Sequence, residues 1–225
     1  MKKLALALAT SAALLAASSA AMAHQAGEFF VRGGPILAVP NTATHNYAGN
    51  ALDYNFDVNS NAQLGLTGTY MITDNLGVEL LAATPFSHEI SLGNDLGDGD
   101  TGYTIGKTKH LPPSLYLQYY FLNADAPARP YVGAGINYTK FFDEKFNGTL
   151  AGKGIKATNL KLKDSWGPVV NAGIDINITD KLFLNTSVWW AKIKTKATFD
   201  INGSPQEARV TLDPTIFFVG LGYRF

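Results

Sequence analysis

The sequence predicts an all-β protein: an eight-stranded antiparallel transmembrane β-barrel with long loops at one end and short turns at the other. Three observations predict it. Eight segments alternate apolar and polar residues with a period of two, the connections between them alternate long and short, and the chain ends F-F-V-G-L-G-Y-R-F. Side chains of a strand point to opposite faces in turn, so Phe217, Val219, Leu221, Tyr223 and Phe225 make one apolar face. Phe218, Gly220, Gly222 and Arg224 make the other. In water such an edge strand would invite aggregation, but against lipid, paired with the first strand, it closes a barrel.

The first strand runs from about Glu28 to Val39, with Phe29, Val31 and Leu37 on one face and Arg32 and Gly34 on the other. A polar loop over 40–59 precedes the second, Asn61–Ile72, and Thr73-Asp74-Asn75 is a tight turn. The third strand, Leu76 to about Ile90, puts Val78, Leu80 and Ala82 outward and Glu79 and Leu81 inward. After the polar loop 91–106 the fourth, Lys107–Leu122, carries Leu115, Leu117 and Tyr119 outward and Tyr116, Gln118 and Tyr120 inward. The fifth spans Pro130–Phe142. A long loop over 143–164 has room for one short helix, and the sixth strand, Ser165–Ile178, points Asn171 and Asp175 inward. The seventh is Leu182–Thr198, a fourth loop covers 199–207, and the eighth starts near Ala208. An even strand number with short periplasmic turns and long extracellular loops is the pattern of bacterial outer-membrane barrels. A soluble eight-stranded barrel would reverse the polarity, with charges outside and apolar residues inside.

Lys2 and Lys3, an apolar run from Leu4 to Ala17 and Ala21-Met22-Ala23 read as a secretory signal peptide, residues 1–23, cleaved before His24. The run is too short to span a membrane as a helix. Its removal takes 18 basic residues to 16 against 18 acidic ones, a formal charge of −2 that gives no footprint for nucleic acid. The mature chain, 24–225, is one domain, and without cysteine it uses no disulfide. The expected location is the bacterial outer membrane. The expected partners are its lipid and the barrel assembly machinery, with Tyr223 and Phe225 as the terminal assembly signal.

The inward charges Arg32, Glu79, Asp175 and Arg224 all fall near the periplasmic turns. Unpaired charges in so narrow a lumen are costly, so the two arginines are expected to pair with Glu79 and Asp175. As a satisfied core or as a functional feature, the cluster plugs the bottom. Above it the inward set becomes apolar: Ile36, Leu81, Tyr116, Trp189, and Trp166 if Pro168 marks a bulge that re-aims it. Pro85 lies ten residues past Asn75, and Pro113, beside Pro112, ten before Asn123. One proline site in each of two neighbouring strands at one height predicts a local break in pairing, a lateral opening. Prolines that merely end each strand above the membrane are the alternative.

The chain resembles the OmpW family of small outer-membrane proteins. The residues that carry the resemblance are G-E-F-F-V-R-G-G (27–34), T-D-N-L-G-V-E-L-L-A-A-T-P-F (73–86), H-L-P-P (110–113), R-P-Y-V-G-A-G-I-N-Y (129–138), D-S-W-G (164–167), N-T-S-V-W-W (185–190) and G-Y-R-F (222–225). The resemblance implies an eight-stranded barrel whose channel passes small, mainly hydrophobic molecules, with Leu81 and Trp166 at its constriction. The expectation is uptake of a small hydrophobic ligand, or a detergent tail, into an apolar lumen closed below, with sideways exit into the bilayer. A narrow channel for small polar solutes and a structural or adhesion barrel are the alternatives. No enzyme, cofactor or metal site is expected: His45, His88 and His110 read as solvated loop histidines without a nucleophile motif, and His24 as the head of a disordered terminus. The acidic run 94–100 lacks the closing Glu of a calcium loop and reads as solvated.

Overall fold

The computed structural model describes residues 24–46, 56–92, 103–152 and 154–225. The expected signal peptide and the acidic run 94–100 lie outside them. Eight strand segments close the barrel in the order β1 (Phe29–Val39), β4 (Asn61–Met71), β5 (Leu76–Ala83), β8 (Ser114–Tyr120), β9 (Ala128–Phe146), β11 (Ser165–Asn177), β12 (Leu182–Ala191) and β15 (Thr215–Arg224), each antiparallel to the next. β15 returns to β1 through pairs running from Phe30–Arg224 to Val39–Thr215, so no edge is left in the ring.

The predicted face assignment holds along all eight. Leu64, Leu66, Leu80, Leu117, Val132, Ile136, Val170, Val219 and Leu221 are exposed and form the girdle that meets lipid. Inward positions are small where a bulky neighbour must fit. A Cβ on Gly222 would sit 2.0 Å from the Phe183 ring, and one on Gly173 would sit 2.5 Å from the Tyr131 hydroxyl.

Above the girdle the wall continues as shorter strands. β6 (Phe86–Leu92) and β7 (Tyr103–Leu111) extend β5 and β8, with β3 (Phe56–Val58) beside β6. β13 (Lys194–Ile201) and β14 (Ser204–Thr211) pair with β10 (Ala157–Leu162) and β2 (Ala43–Asn46) in a four-stranded sheet. The expected short helix is α1, Thr149–Gly152.

Four of the expected strands are interrupted. The third breaks at Thr84-Pro85, the fourth at Pro112-Pro113, the seventh at Lys192-Ile193 and the eighth around Pro214. Proline supplies no N–H to a ladder, which accounts for the breaks at 85, 112–113 and 214. The expected loop 199–207 is a hairpin instead. Ile201 pairs with Ser204 across Asn202-Gly203, both at positive φ, the chemistry of a tight two-residue β-turn.

Candidate functional site

The lumen has three levels. At the lowest, Arg32 reaches in from β1 and uses its whole planar fork. Its Nε and Nη2 donate to the two oxygens of Asp175 (3.1 and 2.5 Å), and its Nη1 donates to Glu79 and to Thr69 Oγ1 (3.2 Å). Nη2 also donates to the Tyr120 hydroxyl, 2.8 Å away. Glu79 accepts further bonds from Gln118 Nε2 (2.7 Å) and Thr69 Oγ1 (3.1 Å), and Asp175 accepts one from Asn185 Nδ2 (2.7 Å). Phe30, Tyr131 and Phe183 wall the guanidinium, their ring centres 4.8 to 5.7 Å from its carbon. A planar five-donor cation between two carboxylates is the arrangement in which buried charge satisfies itself.

Two features differ from expectation. His24 is fully buried: its Nε2 donates to Asp175 (2.8 Å) and its ring stacks on Phe30 at 4.1 Å. Arg129 Nη1 holds the His24 carbonyl at 2.8 Å, so the segment before β1 folds back as a stopper rather than trailing as a disordered terminus. Arg224 does not join Glu79 and Asp175. It lies nearer the rim, 3.4 Å from Glu28, donates to Asn177 and the Asp180 carbonyl, and covers the Phe183 ring. His24 occupies the place by Asp175 that Arg224 was expected to fill.

The middle level brings together Ile36, Leu81, Tyr116 and Trp189, all buried in one apolar cluster with Phe218. Trp189 stacks on Phe218 (5.4 Å) and lies 6.5 Å from Tyr116. Trp166 is elsewhere. Pro168 makes no bulge, because β11 and β9 pair without a register shift from Ser165–Thr139 to Ile176–Ala128. Trp166 therefore keeps its outward phase, 70% exposed, against Tyr138 at 4.7 Å. It belongs to the outer aromatic girdle and not to a constriction.

The upper level holds a cavity of about 40 Å³ among Ile90, Ile105, Phe141, Phe146, Leu160, Leu162, Phe199 and Val210, and a second of about 20 Å³ beside Phe86, Pro112 and Ile216. Val58, His88, His110 and Leu212 line both. His88 and His110 are thus buried lumen residues and not solvated loop histidines. Their Nε2 atoms are 3.0 Å apart, and His88 Nδ1 lies 2.6 Å from the Asn59 carbonyl. At this height the outer face carries Glu89, Lys107 and Lys109, the last paired with Asp143 at 3.0 Å, so the histidines stand above the hydrocarbon.

Burial lowers the pKa of both histidines, that of His110 to about 3. A histidine whose folded pKa lies below its unfolded 6.5 binds protons more readily when unfolded, so its contribution to stability is complete above pH 6.5 and lost as pH falls toward 3. Amide exchange in 86–92 and 103–111, corrected for intrinsic rate, should therefore accelerate between pH 6.5 and pH 4 while β1 and β15 stay protected. The acceleration should vanish in a His88→Phe/His110→Phe variant.

Between the middle and upper levels the wall is broken. β5 and β8 pair as far as Leu81–Ser114, and β6 and β7 resume at Phe86–His110. Ala82–Pro85 and Leu111–Pro113 face each other without ladder bonds. Each side is fastened to its other neighbour instead. Thr84 N–H donates to the Leu64 carbonyl (3.0 Å) and Tyr138 N–H to the Pro113 carbonyl (3.0 Å), while Asn137 Nδ2 donates to Pro112 O, Pro113 O and Ser114 Oγ (3.1, 3.3 and 2.9 Å). Asn137, buried at 1%, is a site residue that alternation placed in the lumen but did not single out. Backbone polar groups facing lipid must be satisfied, and here the Thr84 N–H and the Pro112 and Pro113 carbonyls find partners without bridging the seam.

This architecture recurs in known proteins. The model of the OmpW family matches residues 25–225. Outer membrane protein W of Vibrio cholerae is 49% identical over 95% of this chain and 96% of its own length, and that of Escherichia coli 47% identical over the whole of both. The crystal structure of OprG from Pseudomonas aeruginosa superimposes with a TM-score of 0.81 at 34% identity, covering 90% of this chain and 98% of that one. The chain belongs to the OmpW family, and it is an eight-stranded barrel of the bacterial outer membrane.

Proposed function

We propose that the barrel takes up small hydrophobic molecules from outside, receives them in the upper apolar cup and releases them sideways into the bilayer through the seam between β5–β6 and β7–β8. The observation that carries this reading is the stacking of levels. An apolar cup sits on a filled apolar layer and a salt-bridged floor, and the wall is broken at Pro85 and Pro112-Pro113 where the cup meets that layer. A solute descending the axis would have to displace a buried ion-pair network, whereas one moving sideways crosses apolar surface alone. One relative, 29% identical over 75% of this chain, is the dibenzothiophene metabolism operon protein PahQ of Pseudomonas aeruginosa. The compound in that name is apolar, of the broad class that this reading has the barrel take up. The same reading takes the exposed Tyr223 and Phe225, packed edge to face at 5.2 Å, as what the assembly machinery recognises.

Leu81 forms the last pair below the seam, so Leu81→Arg places a charge where the guest turns outward. Dye uptake by vesicles holding this variant should fall at least about tenfold, because an apolar guest beside a partly desolvated charge loses more than the 1.4 kcal/mol that a decade represents. Retained heat-modifiable migration shows that the barrel still folds, and Leu81→Ala should leave uptake intact. Unchanged uptake in Leu81→Arg would put the passage elsewhere. Ionic conductance without hydrophobic uptake would instead support a small polar-solute channel.

A further inference from the structure

The two buried histidines fix each other's protons, and the order they impose specifies a guest. The Asn59 carbonyl can only accept, so His88 Nδ1, 2.6 Å away, carries the proton. Neutral His88 is then bare at Nε2, and the 3.0 Å contact requires the proton on His110 Nε2. Neutral His110 is left bare at Nδ1. That nitrogen is buried and has no hydrogen-bond partner among the described residues. The groups around His110 do not supply one: its ring packs against Phe86 (5.3 Å) and Phe141 (5.8 Å), and both cavities it lines are almost wholly apolar. The chain Asn59, His88, His110 thus ends in one buried lone pair, on a ring that lines both cavities.

We propose that the cup selects apolar molecules that carry a single hydrogen-bond donor, a long-chain alcohol or a phenol, with the hydroxyl donated to His110 Nδ1. This rests on the hydrophobic-uptake reading and adds the head group to it. A plain alkane leaves the buried acceptor unsatisfied, and an ether or an ionised acid sets lone pair against lone pair, so both are disfavoured relative to a donor. The cavities, about 40 and 20 Å³, have room for a head group but not for a chain, so the hydroxyl enters first and the upper strands part around the tail. Burial holds His110 neutral, its pKa lowered to about 3, so the proton order persists at ordinary pH.

The test uses the full-length barrel in lipid vesicles with ¹⁵N-labelled histidine, titrated with 1-decanol and with 1-methoxynonane, which has the same number of heavy atoms but no donor. Decanol should bind about tenfold more tightly, the value of one buried hydrogen bond, and should move the bare-nitrogen signal of His110 toward the hydrogen-bonded range. The ether should leave that signal in place. In His88→Phe/His110→Phe the two probes should bind alike. Equal binding of both probes to the unmodified protein, or a preference that survives the double substitution, overturns the proposal and leaves hydrophobic uptake standing. Binding of neither probe overturns both. Should the double variant fail to fold, the paired titration and the His110 signal decide by themselves.

Discussion

Arg32→Leu should destabilise the barrel by about 3–5 kcal/mol, the cost of leaving buried charges without their partner. The floor explains the size of the effect. Arg32 serves Glu79 and Asp175 together, and both carboxylates are essentially inaccessible to water. Removing the cation strands two negative charges near Thr69, Gln118 and Asn185, neutral groups that cannot replace it. Unfolding by urea in lipid vesicles, or the temperature at which heat-modifiable migration is lost, measures the cost. The triple variant Arg32→Leu/Glu79→Gln/Asp175→Asn should recover most of the loss, since replacing a whole buried ion network by neutral groups is often near neutral. A single variant within about 1 kcal/mol of the original would show that the network carries little of the stability, as for an exposed ion pair.

The floor was legible because the code that places it is short. Counting residues from tight turns set Arg32, Glu79 and Asp175 at one height, and a period of two set them on one face. His24 was not legible, because alternation ends where the strand ends and the segment before β1 has no periodic signal. The inward charges balance without it, two arginines (Arg32 and Arg224) against Glu79 and Asp175. Arg224, the expected second partner, lies nearer the rim beside Glu28 and Asn177.

The upper cup was lost for a different reason. The paired positions sum to 195 at Leu81–Ser114 and to 196 at Phe86–His110, so the third strand gains one residue at its proline break. A shift of one residue exchanges the faces of everything beyond it. Leu81 points inward with the odd positions, whereas Phe86, His88 and Ile90 point inward with the even ones. Read as one unbroken strand, 76–90 cannot show His88 and His110 meeting. Trp166 is the converse case: Pro168 suggests a bulge, yet the strand keeps its phase and the side chain stays outward.

Locking the seam should abolish hydrophobic uptake. Ala82 and Pro113 are the pair that would follow Leu81–Ser114 if the ladder continued, and both are exposed on the outer face. A disulfide needs Cα atoms about 4.4–6.8 Å apart, a separation that neighbouring antiparallel strands provide once the two sides close. In Ala82→Cys/Pro113→Cys, oxidation should reduce dye uptake to that of protein-free vesicles, and a reductant should restore it. The control is a lock at the same height across a continuous ladder, Leu66→Cys/Ala82→Cys, whose positions are paired in β4 and β5. That lock should leave uptake unchanged, because closing a seam already bridged by backbone hydrogen bonds removes no path. The asymmetry follows from the lipid. A broken ladder persists in hydrocarbon only if its polar groups are satisfied on each side separately, as Asn137, Tyr138 and Thr84 do here, and such a break can part without losing a hydrogen bond. Uptake that persists with this seam oxidised would move the exit elsewhere. Pro168 sits in an unbroken ladder, so the search would turn to Pro214, where the eighth strand is interrupted.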